Sequence, residues 1–283
     1  MKLLSAQSIS VPQLVRLLGR CFSDYVVDLG FTEELLFGMI RECSVDLRSS
    51  VVAMSGDEPI AVALIGRRGL RARLASMAVV AESRRKGCGV KLVERCLAES
   101  RARGEVSLEL EVIEKNVAAR ELYERNGFTR IQQLSGFEGA GLNGVHSESL
   151  KTVDPAWIGR SILRAAEDLP WQVSGETILQ LGHPYVGFEM NGACAVIDER
   201  DEAISLRSLF VPTDQRRQGR ATSLMRSLFA RYPKRAWRVP ALAPESTRAF
   251  FLEGLGFEEM RLTQLHLIQA TANRAGDGDL GSL

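Results

Sequence analysis

The chain has 283 residues, 45% hydrophobic and 25% charged, and 36 Lys and Arg against 35 Asp and Glu leave a net charge of +1. That balance is ordinary for a globular protein of one or two domains, and it gives no reason to expect nucleic acid as a partner. No apolar run nears the ~20 residues of a membrane span, and the N-terminus from Met1 to Ser8 lacks the apolar core of a signal peptide. The five cysteines contain no Cys-x-x-Cys pair, which suits reduced thiols and a cytoplasmic location. His146, His183 and His266 stand far apart, so no metal site is expected.

In chain order, Lys2 to Leu4 is predicted as a short strand. Val11 to Phe22 has apolar residues at helical spacing, with Pro12 acceptable in the first turn. Asp24 to Gly30 breaks that helix, and Thr32 caps another, with Glu33 and Glu34 in its first turn. Ser50 to Met54 and Ile60 to Ile65 flank Ser55-Gly56-Asp57-Glu58 and read as a hairpin. Arg73 to Val80 reads as a strand.

Arg84-Arg85-Lys86-Gly87-Cys88-Gly89 follows that strand, and an amphipathic run from Val90 to Arg103 follows the loop. Backbone N–H groups of such a loop join the free N–H groups and positive dipole end of the new helix, a setting that suits a phosphate. Gly87 and Gly89 let the backbone approach closely, and three cations add charge for a polyanion. The loop is not a Walker P-loop, because its Lys precedes the glycine and no Ser or Thr follows to hold magnesium. Nor is it the dinucleotide G-x-G-x-x-G.

Downstream, Val106 to Val112 alternates apolar and polar residues, as a strand with one buried face does. Asn116 is then a helix N-cap, and Gly127 suits the left-handed residue that ends the helix. Arg-x-x-Gly-x-Gly together with Asn116-x-x-Ala119-x-x-Leu122-Tyr123-x-x-x-Gly127-Phe128 resembles the two signature segments of the GCN5-related N-acetyltransferases over roughly residues 1 to 135.

The resemblance implies an α+β fold and an acyl-CoA-dependent, in all expectation acetyl-CoA-dependent, N-acyltransferase with direct attack by an amine in a ternary complex. Met77, Ala78 and Val79 would offer backbone groups to the pantetheine arm, and Arg84, Arg85, Lys86, Gly87, Cys88 and Gly89 would hold the pyrophosphate. Asn116 would contact the cofactor, and the Tyr123 hydroxyl would protonate the leaving sulfur. Glu111, with Glu109 on the same strand face, is the candidate base; a solvated glutamate and deprotonation through water are the alternatives. Asp24, Tyr25 and Asp28 are acceptor-side candidates beside turn-forming roles. The acceptor is a small-molecule or peptide amine, and monomer and homodimer both stay open. The rival reading is a non-catalytic acyl-CoA-binding or regulatory module.

The second half repeats the first. A hairpin around Asn191-Gly192, a strand from Ile204 to Val211, the loop Arg216-Arg217-Gln218-Gly219-Arg220-Ala221 and Phe250 to Phe257 return in the same order. The expected fold is therefore two tandem acyl-CoA N-acyltransferase-like domains, each a mixed, mostly antiparallel sheet flanked by helices. The first is expected at 1–138, a Gly-rich linker at 139–146, the second at 147–270 and a disordered tail at 271–283. Counting back from Gly-Phe, Leu252 stands in the place of Tyr123 and Glu245 in that of Asn116. The second copy is thus expected to have lost catalysis. Neither copy shows its own seventh strand, so an unpaired strand in one is expected to be completed by the other.

Overall fold

The structure, a computed structural model, describes residues 1–24, 30–141, 143–166 and 169–271. Tyr25, Asp28 and the tail after Thr271 lie outside the described residues. The chain forms two compact units. One holds Met1–Glu111, Val117–Arg130 and the residues from Leu267 on, and the other Val112–Asn116 and Ile131–His266.

The first unit begins with β1 (Lys2–Ser5) and α1 (Val11–Cys21). Ser10 and Gln13 close a reciprocal cap at the head of α1, which satisfies two otherwise orphaned N–H groups. Leu14, Leu17 and Leu18, at helical spacing, are buried, each contributing about 1.5–3 kcal/mol of apolar burial. Then come α2 (Glu33–Glu42), β2 (Val51–Ser55), β3 (Glu58–Arg68) and β4 (Arg71–Val79). β3 is buried on both faces from Ile60 to Ile65, as its unbroken apolar run requires. α3 (Cys88–Ala102), β5 (Ser107–Ile113) and α4 (Val117–Arg125) follow. Strand order is β1-β2-β3-β4-β5. The pairs are antiparallel up to β4, and β4–β5 is parallel because α3 carries the chain back over the sheet.

The second unit draws on β6 (Thr129–Gly139), β7 (Lys151–Val153), α5 (Pro155–Ala165), α6 (Gly175–Leu179), β8 (Tyr185–Met190) and β9 (Ala193–Asp198). β10 (Ala203–Phe210), α7 (Arg220–Arg231), β11 (Ala236–Pro244) and β12 (Glu258–Ala270) complete the chain. Its order is β12-β6-β11-β10-β9-β8-β7, with β10–β11 parallel across α7. Phe137 of β6 stacks on Phe251 at 4.8 Å within a core that includes Phe188, Trp237 and Phe257.

The compact units cut across the chain-order division expected from the repeat. The second half of β6, from the first repeat, pairs with β11 of the second, as Val239 with Phe137 and Ala243 with Ser135. Conversely, the end of β12 belongs to the first unit, where the Thr271 N–H donates to the Val106 carbonyl at 3.0 Å. Each repeat lends a strand to the other unit. The Gly-rich stretch after β6 is packed. A Cβ on Gly141 would lie 2.7 Å from the Trp237 ring, and one on Gly144 2.5 Å from the Ala230 nitrogen. Here glycine serves close approach.

Candidate active site

In the first unit β4 leaves β5 partway along its length. The two strands pair only from Arg71 with Ser107 to Arg73 with Glu109. Ala75 is an extra residue in the β3–β4 ladder, between Leu64 opposite Ser76 and Ile65 opposite Leu74. A bulge of this kind bends its strand and raises the local twist. Beyond it Met77, Ala78 and Val79 pair with Ala63, Val62 and Ala61 of β3 and have no β5 partner. Their other backbone edge can pair with an extended, amide-bearing ligand, as an open strand edge does.

A 3-10 turn at Ala81–Ser83 leads into the loop. Arg85 and Gly87 both have left-handed φ, 58° and 79°, and Gly87 caps α3 without any side-chain bond. Among the described residues no carbonyl accepts from the N–H groups of Arg85, Lys86 or Gly87. The N–H groups of Cys88, Gly89 and Val90, in the first turn of α3, lack intrahelical partners by construction. Six donors and a helix dipole thus lie on one short stretch, a setting that suits an anion. A Cβ on Gly87 would meet nothing within 4 Å, so this side of the loop is open. Gly89 has the opposite surroundings: its Cβ would lie 3.1 Å from Leu122 Cδ2. Its bareness lets α4 approach the first turn of α3. Cys88 is buried, a packing residue. Arg85 and Lys86 are exposed, and the Lys86 ammonium donates to the Glu82 carbonyl at 2.8 Å.

The loop's first arginine is directed elsewhere. Arg84 Nε donates to the Val79 carbonyl at 3.0 Å, Nη2 to the Cys21 carbonyl at 3.0 Å, and Nη1 and Nη2 to the Asp24 carboxylate at 2.5 and 2.7 Å. Burial opposes its charge, but the Asp24 hydrogen bond comes first and raises the guanidinium above its ordinary value. Arg84, expected to grip phosphate, therefore ties the end of β4 to the end of α1.

Tyr123 is 6% exposed on α4, with its ring edge-on to Phe128 at 5.6 Å. Asn116 directly precedes α4 in the chain, and its N–H donates to the Ile113 carbonyl at 2.9 Å. By its contacts it groups with the second unit.

Glu111, the candidate base, has a close partner. Its side chain is 1% exposed and bound by Arg73, from Nε at 2.7 Å and from Nη2 at 2.5 Å. Burial opposes the Arg73 charge, yet the Glu111 carboxylate prevails and raises the guanidinium pKa. Removing either member would leave the other charge buried without its counter-ion, so the pair is a structural element of the β4–β5 seam. Glu109, fully buried, is paired in the same way with Arg71 at 3.0 Å. The signal lay in the sequence: Arg71 and Arg73, two apart on one strand, face Glu109 and Glu111, two apart on the next. Recognising it needed the parallel pairing of β4 with β5.

The second unit repeats the loop's backbone. A 3-10 turn at Thr213–Gln215 precedes it, Arg217 has φ 61°, and Gly219 with φ 72° caps α7. Arg207 is the extra residue in the β9–β10 ladder, and β10 leaves β11 after Ser205. Side chains differ. Arg220 stands where Cys88 does and reaches the Asn191 carbonyl at 2.6 Å. Pro240 and Pro244 lie in β11, and the following segment forms a 3-10 turn at Glu245–Thr247 and one wide turn at Phe250–Gly254. Proline's missing N–H and fixed φ suit such irregular backbone. Leu252, in the place of Tyr123, has no acidic proton.

Among the described residues no His, Cys, Asp and Glu cluster could hold a metal ion, and no helix is long and apolar enough to cross a membrane.

In each unit, then, a bulged strand leaves its parallel neighbour beside a loop whose glycine caps the next helix. Residues 11–128 match the model of the acetyltransferase (GNAT) family. No curated protein matches the sequence. Among solved structures the chain is similar to a tandem GNAT protein from the clavulanic acid biosynthesis pathway, at 15% identity and a TM-score of 0.64 over 98% of this chain and 100% of that one. It is similar to a GCN5-related N-acetyltransferase from Sphaerobacter thermophilus, at 15% identity, TM-score 0.63 and 93% of each chain. A third, from Kribbella flavida, has 17% identity and a TM-score of 0.63 over 95% of this chain and 72% of that one. At such identities the likeness establishes the fold, which is that of a tandem GNAT.

Proposed function

We propose that the first unit is an acyl-CoA-dependent N-acyltransferase with acetyl-CoA as donor and a small-molecule or peptide amine as acceptor. The observation that carries this reading is the Arg85–Gly89 backbone. Its left-handed turns present unpaired N–H groups beside a helix N-terminus, with Arg85 and Lys86 exposed next to them. These groups would hold the pyrophosphate, and the free edge of Met77–Val79 the pantetheine amides. The bound thioester supplies an activated acyl carbon.

In the proposed reaction the acceptor nitrogen bonds to that carbon as the carbon–sulfur bond breaks. Tyr123 gives its phenolic proton to the leaving sulfur, help worth about 10² to 10⁴ in rate. Glu111 is committed to Arg73, so the amine's surplus proton leaves through solvent. The second unit keeps the loop but has Leu252 in the tyrosine position, and is assigned a non-catalytic role.

Calorimetric titration with acetyl-CoA, followed by thiol release in the presence of a panel of primary amines, tests the proposal. Binding with turnover of at least one amine supports it. Binding without turnover of any amine favours an acyl-CoA-binding module. Absence of binding rejects both.

A further inference from the structure

We infer that Asp24 is a positioning residue for the acyl donor: through Arg84 it holds the phosphate loop in its binding shape. The inference rests on the acyl-CoA reading of the first unit. Four hydrogen bonds leave the Arg84 guanidinium, to the carbonyls of Val79 and Cys21 and to both oxygens of Asp24. With at most five N–H donors on an arginine, little of Arg84 remains to reach a phosphate. What it does instead is fix the start of the loop from three sides.

Each side is anchored. Val79 ends β4, which β3 pairs along its length. Cys21 ends α1, and its carbonyl is one of the orphans a helix leaves at its C-terminus. Asp24 supplies the forked, charge-assisted pair that sets the plane of the guanidinium. The next residue, Arg85, is a non-glycine at φ 58°, a conformation that costs energy and needs support from its surroundings. A fixed Arg84 provides that support, and the unpaired N–H groups of Arg85 to Gly87 follow directly.

Simple electrostatics makes the opposite forecast. The Asp24 side chain is 53% exposed, and a carboxylate beside a polyanion site repels the ligand. Removing its charge would then tighten binding. The sign of the Asp24→Asn effect therefore separates the two accounts.

The test is the acetyl-CoA dissociation constant, by calorimetry at fixed salt, for the full chain, Asp24→Asn, Asp24→Glu, Arg84→Gln and the double variant Asp24→Asn/Arg84→Gln. The expected result is weakening by roughly threefold to tenfold for Asp24→Asn, as for loss of a forked charge-assisted pair. Asp24→Glu recovers part of the loss, and the double variant binds no worse than Arg84→Gln alone, since both changes break one device. Equal or tighter binding by Asp24→Asn, at an unchanged melting temperature, overturns the inference, as do two losses that add. Failure of the unaltered chain to bind acetyl-CoA overturns the acyl-CoA reading itself, a result distinct from both.

Discussion

Arg84 in the first unit and Arg216 in the second make the same bond, each donating Nε to the carbonyl of the residue five places earlier, Val79 at 3.0 Å and Val211 at 2.9 Å. The extra strand residues Ala75 and Arg207 stand nine places before these arginines, and Gly87 and Gly219 three places after. Duplication has thus preserved a backbone device, from bulge to helix cap, in two copies. What diverged is the side-chain chemistry around it: Tyr123 against Leu252, and Cys88 against Arg220.

Tyr123→Phe keeps the ring that packs on Phe128 and removes only the hydroxyl. Turnover of acetyl-CoA with an accepting amine should fall about 10² to 10⁴-fold, with acetyl-CoA affinity within twofold of the original. Steady-state kinetics beside calorimetry check this, and equal turnover removes Tyr123 from the mechanism.

Gly87→Leu places a side chain on the open side of the loop at a φ of 79° that L-residues rarely adopt. Acetyl-CoA binding should weaken at least tenfold, while Gly219→Leu in the second unit should leave the first site's affinity unchanged. Calorimetric titration of the two variants decides, and the reverse pattern would move the donor site to the second unit.

Arg73→Met leaves the Glu111 carboxylate buried without its partner. Unpairing a buried charge costs about 3–5 kcal/mol, which a urea melt would register as a lower midpoint. Arg73→Met/Glu111→Leu should regain most of the loss. If Glu111→Gln instead left stability intact but shifted the pH–rate profile, the general-base role would return.

The Arg84 hydrogen bond holds the Asp24 carboxyl below its ordinary range, with slight desolvation opposing. A depressed carboxyl delivers its contribution in full above the unfolded value near ~3.9 and loses it as pH falls through the folded value. The ratio of acetyl-CoA dissociation constants between Asp24→Asn and the unaltered chain should therefore be constant from about pH 8 to pH 5. A ratio that collapses within that window would mean that another group carries the effect.

Burial pushes the thiols of Cys21, Cys96 and Cys194 up to about 12, and Cys88 is buried too, which leaves Cys43 as the accessible one of the five. Thiolate is the reactive form, so a disulfide reagent at pH 8 should titrate one fast thiol in the native chain and five after denaturation. Mass mapping of the labelled residue to any site but Cys43 would contradict the burial pattern.

Much of the fold was legible because its signals are local. Pro12 and the apolar spacing from Val11 to Phe22 announce α1, Asn191-Gly192 the β8–β9 turn, and the two Arg-x-x-Gly loops the duplication, since helical periodicity and left-handed turns depend on a few nearby residues. The alternation of β5 placed Glu109 and Glu111 on one face but not what they face. Arg71 and Arg73 enter only through the β4–β5 pairing, between segments more than thirty residues apart. Arg84 read as a phosphate ligand because its sequence neighbours are Arg85, Lys86 and Gly87. Its side chain instead goes to Cys21 and Asp24, about sixty residues away.

By itself the sequence determined the two loops, the strands leading into them, the amphipathic run that follows the first, and the presence of one tyrosine where the other copy has leucine. These follow from backbone sterics and short-range hydrogen bonds. Only the tertiary structure decided which charges neutralise one another and which unit receives β6 and the end of β12. A strand's own residues specify that it will pair and which face it buries, but its neighbour is chosen by every other edge the chain makes available.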